Sequence, residues 1–373
     1  MCFFVTGHRV NSDPYDVSDR KKTFLTVDKV DHLSYNAING LQSKSTTKER
    51  SIVKGNVKNH YAKSLDTLRG IGITGIFLYH LFPSVFPGGF LGVPLFFVLS
   101  GYLMFITSES RFQKGKFSVG NYYKKRILKI YPALFTMVMA ICCYLTLFQR
   151  SLLTGIQGEI ASIFLGYNNW WQIGQKASYF SKTGNASLFT HLWFLAVELQ
   201  LYLLWPMLFF LYKKGCQIAG KKIMCFFFPL LALLSAGWMF FLYVPGSDPS
   251  RVYYGTDTMA FPLLIGISAG VLKQQGYLLP FSLSRQKEIF LAALFFLITC
   301  LLFFTVNGQN RFVYQGGMFV ISLFFAIMVC FFKNHGKILE CLPDTCLISW
   351  IGKQSYYIYL WHYPLIILAY TLM

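Results

Sequence analysis

Charge is what this chain has least of. Only 13% of its 373 residues are Asp, Glu, Lys or Arg, and just 15 are acidic. A soluble domain carries about 25% charged residues. With 54% hydrophobic residues and a mean hydropathy of +0.46, the composition excludes an ordinary soluble enzyme. The nine cysteines are scattered, with no C-x-x-C and no Cys/His spacing suited to zinc. Most sit in apolar runs, where cysteine is usually a small buried hydrophobe. Neither a structural disulfide nor a metal site is therefore expected. The chain also lacks a nucleophile elbow, a zinc-protease helix, a P-loop and a dinucleotide fingerprint. Met1–Val5 is too short to be the apolar core of a signal peptide.

What the sequence does have is apolar runs long enough to cross a bilayer, which takes about 20 residues. Nine are predicted, near 69–87, 89–107, 128–149, 190–212, 223–244, 257–273, 288–306, 312–333 and 348–371. The fold class is thus an all-α polytopic membrane protein. The shorter run 153–166 reads as a re-entrant or interfacial helix. Residues 1–62 are polar and weakly patterned, and read as a cytoplasmic, largely disordered tail.

The basic residues set the orientation. With the N-terminus inside, the inner loops and their flanks hold 17 Lys and Arg, and the outer segments only Arg150, Lys176, Lys182, Arg251 and Arg311. The net charge of +19 then follows from membrane topology, and no nucleic-acid partner is expected.

Ionisable groups inside spans are costly and mark function by default. Arg69 and His80 are eleven residues apart, which on a helix is nearly the same face and a rise of roughly 16 Å. His191 and Glu198 are seven apart, again one face, with Glu198 roughly 10 Å deeper. Lys125, Arg126 and Lys129 open the third span on the inner side, where they read either as positive-inside charge or as a clamp for phosphate groups. Asp257 begins a span and suits a helix N-terminus. His362 is a further histidine in the last span. Each has an ordinary structural explanation by itself.

In order, Leu65-Asp-Thr-Leu-Arg-Gly70 with His80, the small-residue stretch Gly88–Gly101, Lys125-Arg-Ile-Leu-Lys-Ile-Tyr-Pro132, His191-Leu-Trp-Phe-Leu-Ala-Val-Glu198 running on to Trp205-Pro206, and Ile351–Pro364 with its Trp-His-Tyr-Pro make five motifs. Together they resemble the membrane acyltransferase-3 family, the O-acyltransferases that decorate bacterial glycans, from about Lys63 to Leu368. The resemblance implies transfer of an acetyl or similar short acyl group from cytoplasmic acyl-CoA to a hydroxyl of a cell-surface or lipid-linked glycan, in a bacterial cell membrane among lipids. Acetyl-CoA would be a donor substrate, with no permanently bound cofactor. Arg69 and His80 match the family's acyl-transfer core, with His80 as general base or transient acyl carrier. Arg126 and Lys129 match its cytoplasmic Arg-x-x-Arg motif. His191, Glu198, Asp257 and His362 fall on recurring polar positions, and Glu198 is expected to orient or tune a histidine.

The chain departs from the family in several places. Pro94 stands where an acid is frequent, Lys129 replaces a second Arg, Phe194 stands where Ser is common, and Leu199 stands where a second acid is common. The family core has a tenth span after the Trp-His helix, so residues 63–373 read as a C-terminally shortened acyltransferase domain. A transporter or flippase of a lipid-linked glycan, or an inactive shortened remnant, are the alternative readings.

Overall fold

The computed structural model describes residues 64–180, 187–278, 283–335 and 347–372. The expected N-terminal tail lies outside these residues, as do Lys182 and Lys337 of the orientation count. The described residues are helices joined by short turns, with no strand among them. Six segments are long and apolar enough to cross a membrane: Gly89–Gln113, Val119–Phe148, Thr190–Ile218, Lys221–Leu242, Arg285–Thr305 and Val313–Asn334. The chain is a multi-pass membrane protein.

The three other expected spans are helical but shorter or more polar. The first is α1, 64–81, which carries Asp66, Arg69 and His80. The run 257–273 is broken into α10 (Thr256–Met259) and α11 (Phe261–Gln274). At 14 residues, α11 rises only about 21 Å. The run 348–371 divides at Gln354 into α14 (Leu347–Lys353) and α15 (Ser355–Leu372). Two of the three, α1 and α15, carry site residues, so the polar groups that make chemistry possible are what lower their hydropathy.

At the centre is α2 (Gly92–Gln113), entered through a 3-10 turn at Gly89–Leu91. Some 78% of its most apolar window is buried, against 11% for α12 (Arg285–Thr305). Leu, Phe and Ile cover both helices, so α2 is a core helix and α12 faces lipid. α2 packs most extensively against α11. Small residues allow the approach: a methyl at Gly101 would overlap the Leu263 carbonyl, and one at Gly266 would overlap that of Val98. Gly101→Val should therefore cost about 1–3 kcal/mol or more by overpacking. Gly237→Val should be nearly neutral, since apart from its own helix backbone and chain neighbours its added carbon meets nothing within 4 Å. Thermal unfolding in detergent compares the two. A Gly101→Val protein as stable as the Gly237→Val protein would refute the close crossing.

α3 (Val119–Phe148) starts at Ser118, whose hydroxyl accepts the Asn121 amide. Pro132 in α3, Pro206 in α6 (Trp193–Ile218) and Pro364 in α15 lie inside helices. In a bundle, neighbouring groups accommodate the freed carbonyls. Between α3 and α6 the expected re-entrant run 153–166 holds the short helix α4 (Ile156–Phe164), and a second short helix, α5 (Asn168–Gly174), follows it. They are tied inward where Asn169 donates to the Tyr254 carbonyl and Gln200 donates to Asn169.

Candidate active site

Three helices, α1, α6 and α15, carry the site, and each repeats one order of side chains. On α1 Arg69 comes first and His80 eleven residues later. On α6 and the 3-10 turn that leads into it (Thr190–Leu192) the order runs in reverse along the chain, and Glu198 is followed toward the other end by Phe194 and His191. On α15 Ser355 and Tyr356 are followed by Tyr359 and His362. The 3.6-residue period puts each set on one face. Polar groups therefore gather at one level, aromatic rings at the next and histidines at a third.

The polar level is a cavity of about 130 Å³ lined by Arg69, Ser100, Arg126, Lys129, Glu198 and Tyr202, among others. Arg69 pairs with Asp66 at 2.7 Å within its own helix. The Arg126 guanidinium lies over the Tyr202 ring, 4.0 Å from its centroid, and 5.5 Å from that of Tyr122. Glu198 accepts from the Ser100 hydroxyl at 2.6 Å and from Tyr202. Glu198 therefore does not contact a histidine, contrary to its expected role. Its partners belong to the basic cavity. A neighbouring cavity of about 140 Å³ shares Arg126 and Lys129 and adds Arg111, Lys125 and Ser108. The expected cationic cluster thus lines a basic mouth of two cavities that share Arg126 and Lys129.

At the histidine level, His80, His191 and His362 come together. Ring centroids are 5.1 Å apart for His80 and His362 and 5.5 Å for His191 and His362. Tyr363 lies against both His80 and His191. Backbone carbonyls assign the tautomers, because a carbonyl can only accept. His362 Nδ1 faces the Tyr359 carbonyl at 2.7 Å and therefore holds its proton. Its Nε2 is then an acceptor, 3.3 Å from His80 Nδ1. His80 Nδ1 also faces the Ile76 carbonyl at 2.9 Å, so it is the protonated nitrogen of that ring. This leaves a lone pair on His80 Nε2, which meets the Tyr179 hydroxyl at 3.4 Å. His191 Nε2 donates to the Leu360 carbonyl, and the Tyr359 hydroxyl donates to the His191 carbonyl at 2.6 Å. The result is a base whose tautomer is set by the Ile76 carbonyl and supported by a second histidine, the geometry of an activated hydroxyl system.

Tyr179 is the residue that sequence reasoning missed. It lies in the loop after α5, and with Trp170 and Trp171 of that helix it suits an interfacial position. Its amide donates to Ser250 at 2.8 Å, and its ring stacks on Tyr79. Burial holds its hydroxyl well above the ordinary range, so it is a neutral donor at physiological pH. Nearby, Glu159 of α4 is buried and accepts from Gln172 at 2.7 Å and from Ser187. Burial pushes its carboxyl up. That bond fixes the segment that leads into His191.

Asp257 is placed elsewhere. It pairs with Arg251 at 2.9 Å and accepts from Trp238, and it is not among the groups touching the histidines. Among the described residues no cluster of His, Cys, Asp or Glu is arranged to hold a metal ion.

The family model described as an acyltransferase domain matches residues 62–373, which include both levels of the site. The chain belongs to this acyltransferase family. It is 36% identical over 312 residues to the peptidoglycan O-acetyltransferase OatA of Listeria monocytogenes, covering 83% of this chain and 50% of that protein. It is 37% identical over 317 residues to the Bacillus subtilis protein named Putative peptidoglycan O-acetyltransferase YrhL, covering 83% and 49%. An O-acetyltransferase of Staphylococcus aureus, also named Putative, is 31% identical over 319 residues, covering 83% and 51%. The chain spans about half the length of the curated relatives it matches. No solved structure matches it.

Proposed function

We propose that this acyltransferase chain takes an acetyl group from acetyl-CoA at its basic mouth and passes it to a hydroxyl at the histidine level, for delivery to a cell-surface glycan such as peptidoglycan. The mouth would face the cytoplasm of a bacterial cell, with the N-terminus on that side, and the histidines would lie toward the outside. The carrying observation is the lone pair of His80 Nε2, aimed at a hydroxyl 3.4 Å away.

Arg126, Lys129 and Lys125 hold the phosphates of CoA. Arg69 draws the thioester to the inner end of the cavity. At the histidines a hydroxyl attacks the acyl carbon as His80 Nε2 takes its proton. The new C–O bond forms, the thioester C–S bond breaks, and the proton returns from His80 to the CoA sulfur. The attacking hydroxyl belongs to the acceptor, which takes the position that the Tyr179 hydroxyl occupies in the structure. His362 is a positioning residue that keeps His80 Nδ1 protonated and Nε2 free.

The His362–His80 hydrogen bond joins neutral groups and is worth about 0.5–1.5 kcal/mol. His362→Ala should thus lower kcat roughly 2–10-fold with KM for acetyl-CoA little changed. His362→Gln, which restores an acceptor, should recover part of the loss. Equal kcat in wild type and His362→Ala would remove His362 from the mechanism. The function itself is tested by release of CoA from acetyl-CoA by purified protein in lipid, supplied with a glycan acceptor. Acceptor-dependent release supports transfer, and its absence from folded protein counts against it.

A further inference from the structure

The basic cavity does not reach the histidines. None of His80, His191 and His362 lines it. At that end its lining is Phe96, Phe194 and Tyr359. Phe96 packs over Gly72 of α1, three residues beyond Arg69 and eight short of His80. Phe194 lies between Glu198 and His191 on α6, 8% exposed, with its ring 4.6 Å from that of Phe97 and 5.5 Å from that of Tyr359. Tyr359 is locked by its bond to the His191 carbonyl. An acyl group entering beside Arg69 must therefore pass an aromatic constriction before it meets His80. Phe96 and Phe194 carry no polar anchor, and Phe194 is the ring that meets both others, its centroid 6.3 Å from that of Phe96 and 5.5 Å from that of Tyr359, so its size sets the width of the constriction.

We infer that Phe194 is the acyl-size gauge of the transfer proposed above: its ring, with Phe96 and Tyr359, admits a two-carbon acyl group to the histidines and holds back longer chains. A pocket wall of apolar rings discriminates by volume. One methylene is worth roughly 10–200-fold in such a pocket. The gauge lies outside the reacting atoms, so it sets which thioester reacts without taking part in bond making.

The test measures CoA release from acetyl-, propionyl- and butyryl-CoA by wild type, Phe194→Ala and Phe194→Leu in lipid with a saccharide acceptor. Wild type should prefer acetyl strongly. In Phe194→Ala the acetyl-to-butyryl ratio of kcat/KM should fall at least about tenfold, the low end for one methylene, with Phe194→Leu between. Phe194→Leu carries the comparison if the alanine protein does not fold. An unchanged ratio in an active variant overturns the gauge alone. So do folded variants that release CoA from none of the thioesters, because Phe194 would then be needed for the chemistry itself. Wild type silent on all three overturns the acyl-CoA reading and the gauge with it.

Discussion

His80→Ala should abolish acetyl transfer while leaving the amount of folded protein unchanged. A general base supplies roughly 10²–10⁴-fold, and of the three histidines only His80 meets the Tyr179 hydroxyl. His362 Nε2 is turned toward His80, and His191 Nε2 is spent on the Leu360 carbonyl. The ring of His80 is only half-buried and its removal opens space beside Tyr179, so the fold should tolerate it. The check is acetylated product and CoA release, each normalised to detergent-solubilised protein with an intact unfolding transition. Transfer retained within a few-fold of wild type would exclude His80 as the base.

Arg126→Ala should raise KM for acetyl-CoA about 10–100-fold, with a smaller change in kcat. A hydrogen bond to a charged group is worth about 1.5–3 kcal/mol, and Arg126 is shared by both cavities of the mouth. Its guanidinium is already oriented by the Tyr202 ring, whose hydroxyl donates to Glu198. Arg126→Lys should recover only part of the affinity, because the ammonium lacks the planar fork that grips phosphate. Titration calorimetry with CoA separates binding from turnover. Binding of CoA to Arg126→Ala as tight as to wild type would reduce the cluster to positive-inside charge.

The sequence made much of this legible, for a definite reason. Intramembrane charges are rare, so Arg69, His80, His191, Glu198 and His362 stand out against an apolar background, and helical periodicity assigns each pair to a face. The spacing of Arg69 and His80 puts them at two levels of one helix, with Arg69 lining the basic cavity and His80 beside His362. Sequence could not reveal which helices meet. That His362 touches His80 across 282 positions depends on how α15 lies against α1. The partners of Glu198 are not legible for the same reason: Ser100 lies on α2 and reaches it across the helix packing, and Tyr202 reaches it from the next turn of α6. Tyr179 gave no signal because a tyrosine in an outer loop looks like an interfacial anchor. Six of the nine expected spans are long and apolar enough to cross a membrane by themselves, and motif-bearing runs such as 348–371 are more polar or more broken than a plain membrane helix.

The central claim is that an acyl group moves from the basic mouth, past Phe194, to His80. It is tested most directly in sealed vesicles carrying the protein in one orientation. Acetyl-CoA with a radiolabelled acetyl group is supplied on the side of Lys125, Arg126 and Lys129, and a saccharide acceptor on the other. The account predicts labelled saccharide on the far side, and none with His80→Ala. Label that reaches the saccharide only when donor and acceptor share one side, or that reaches it equally well with His80→Ala, would contradict it.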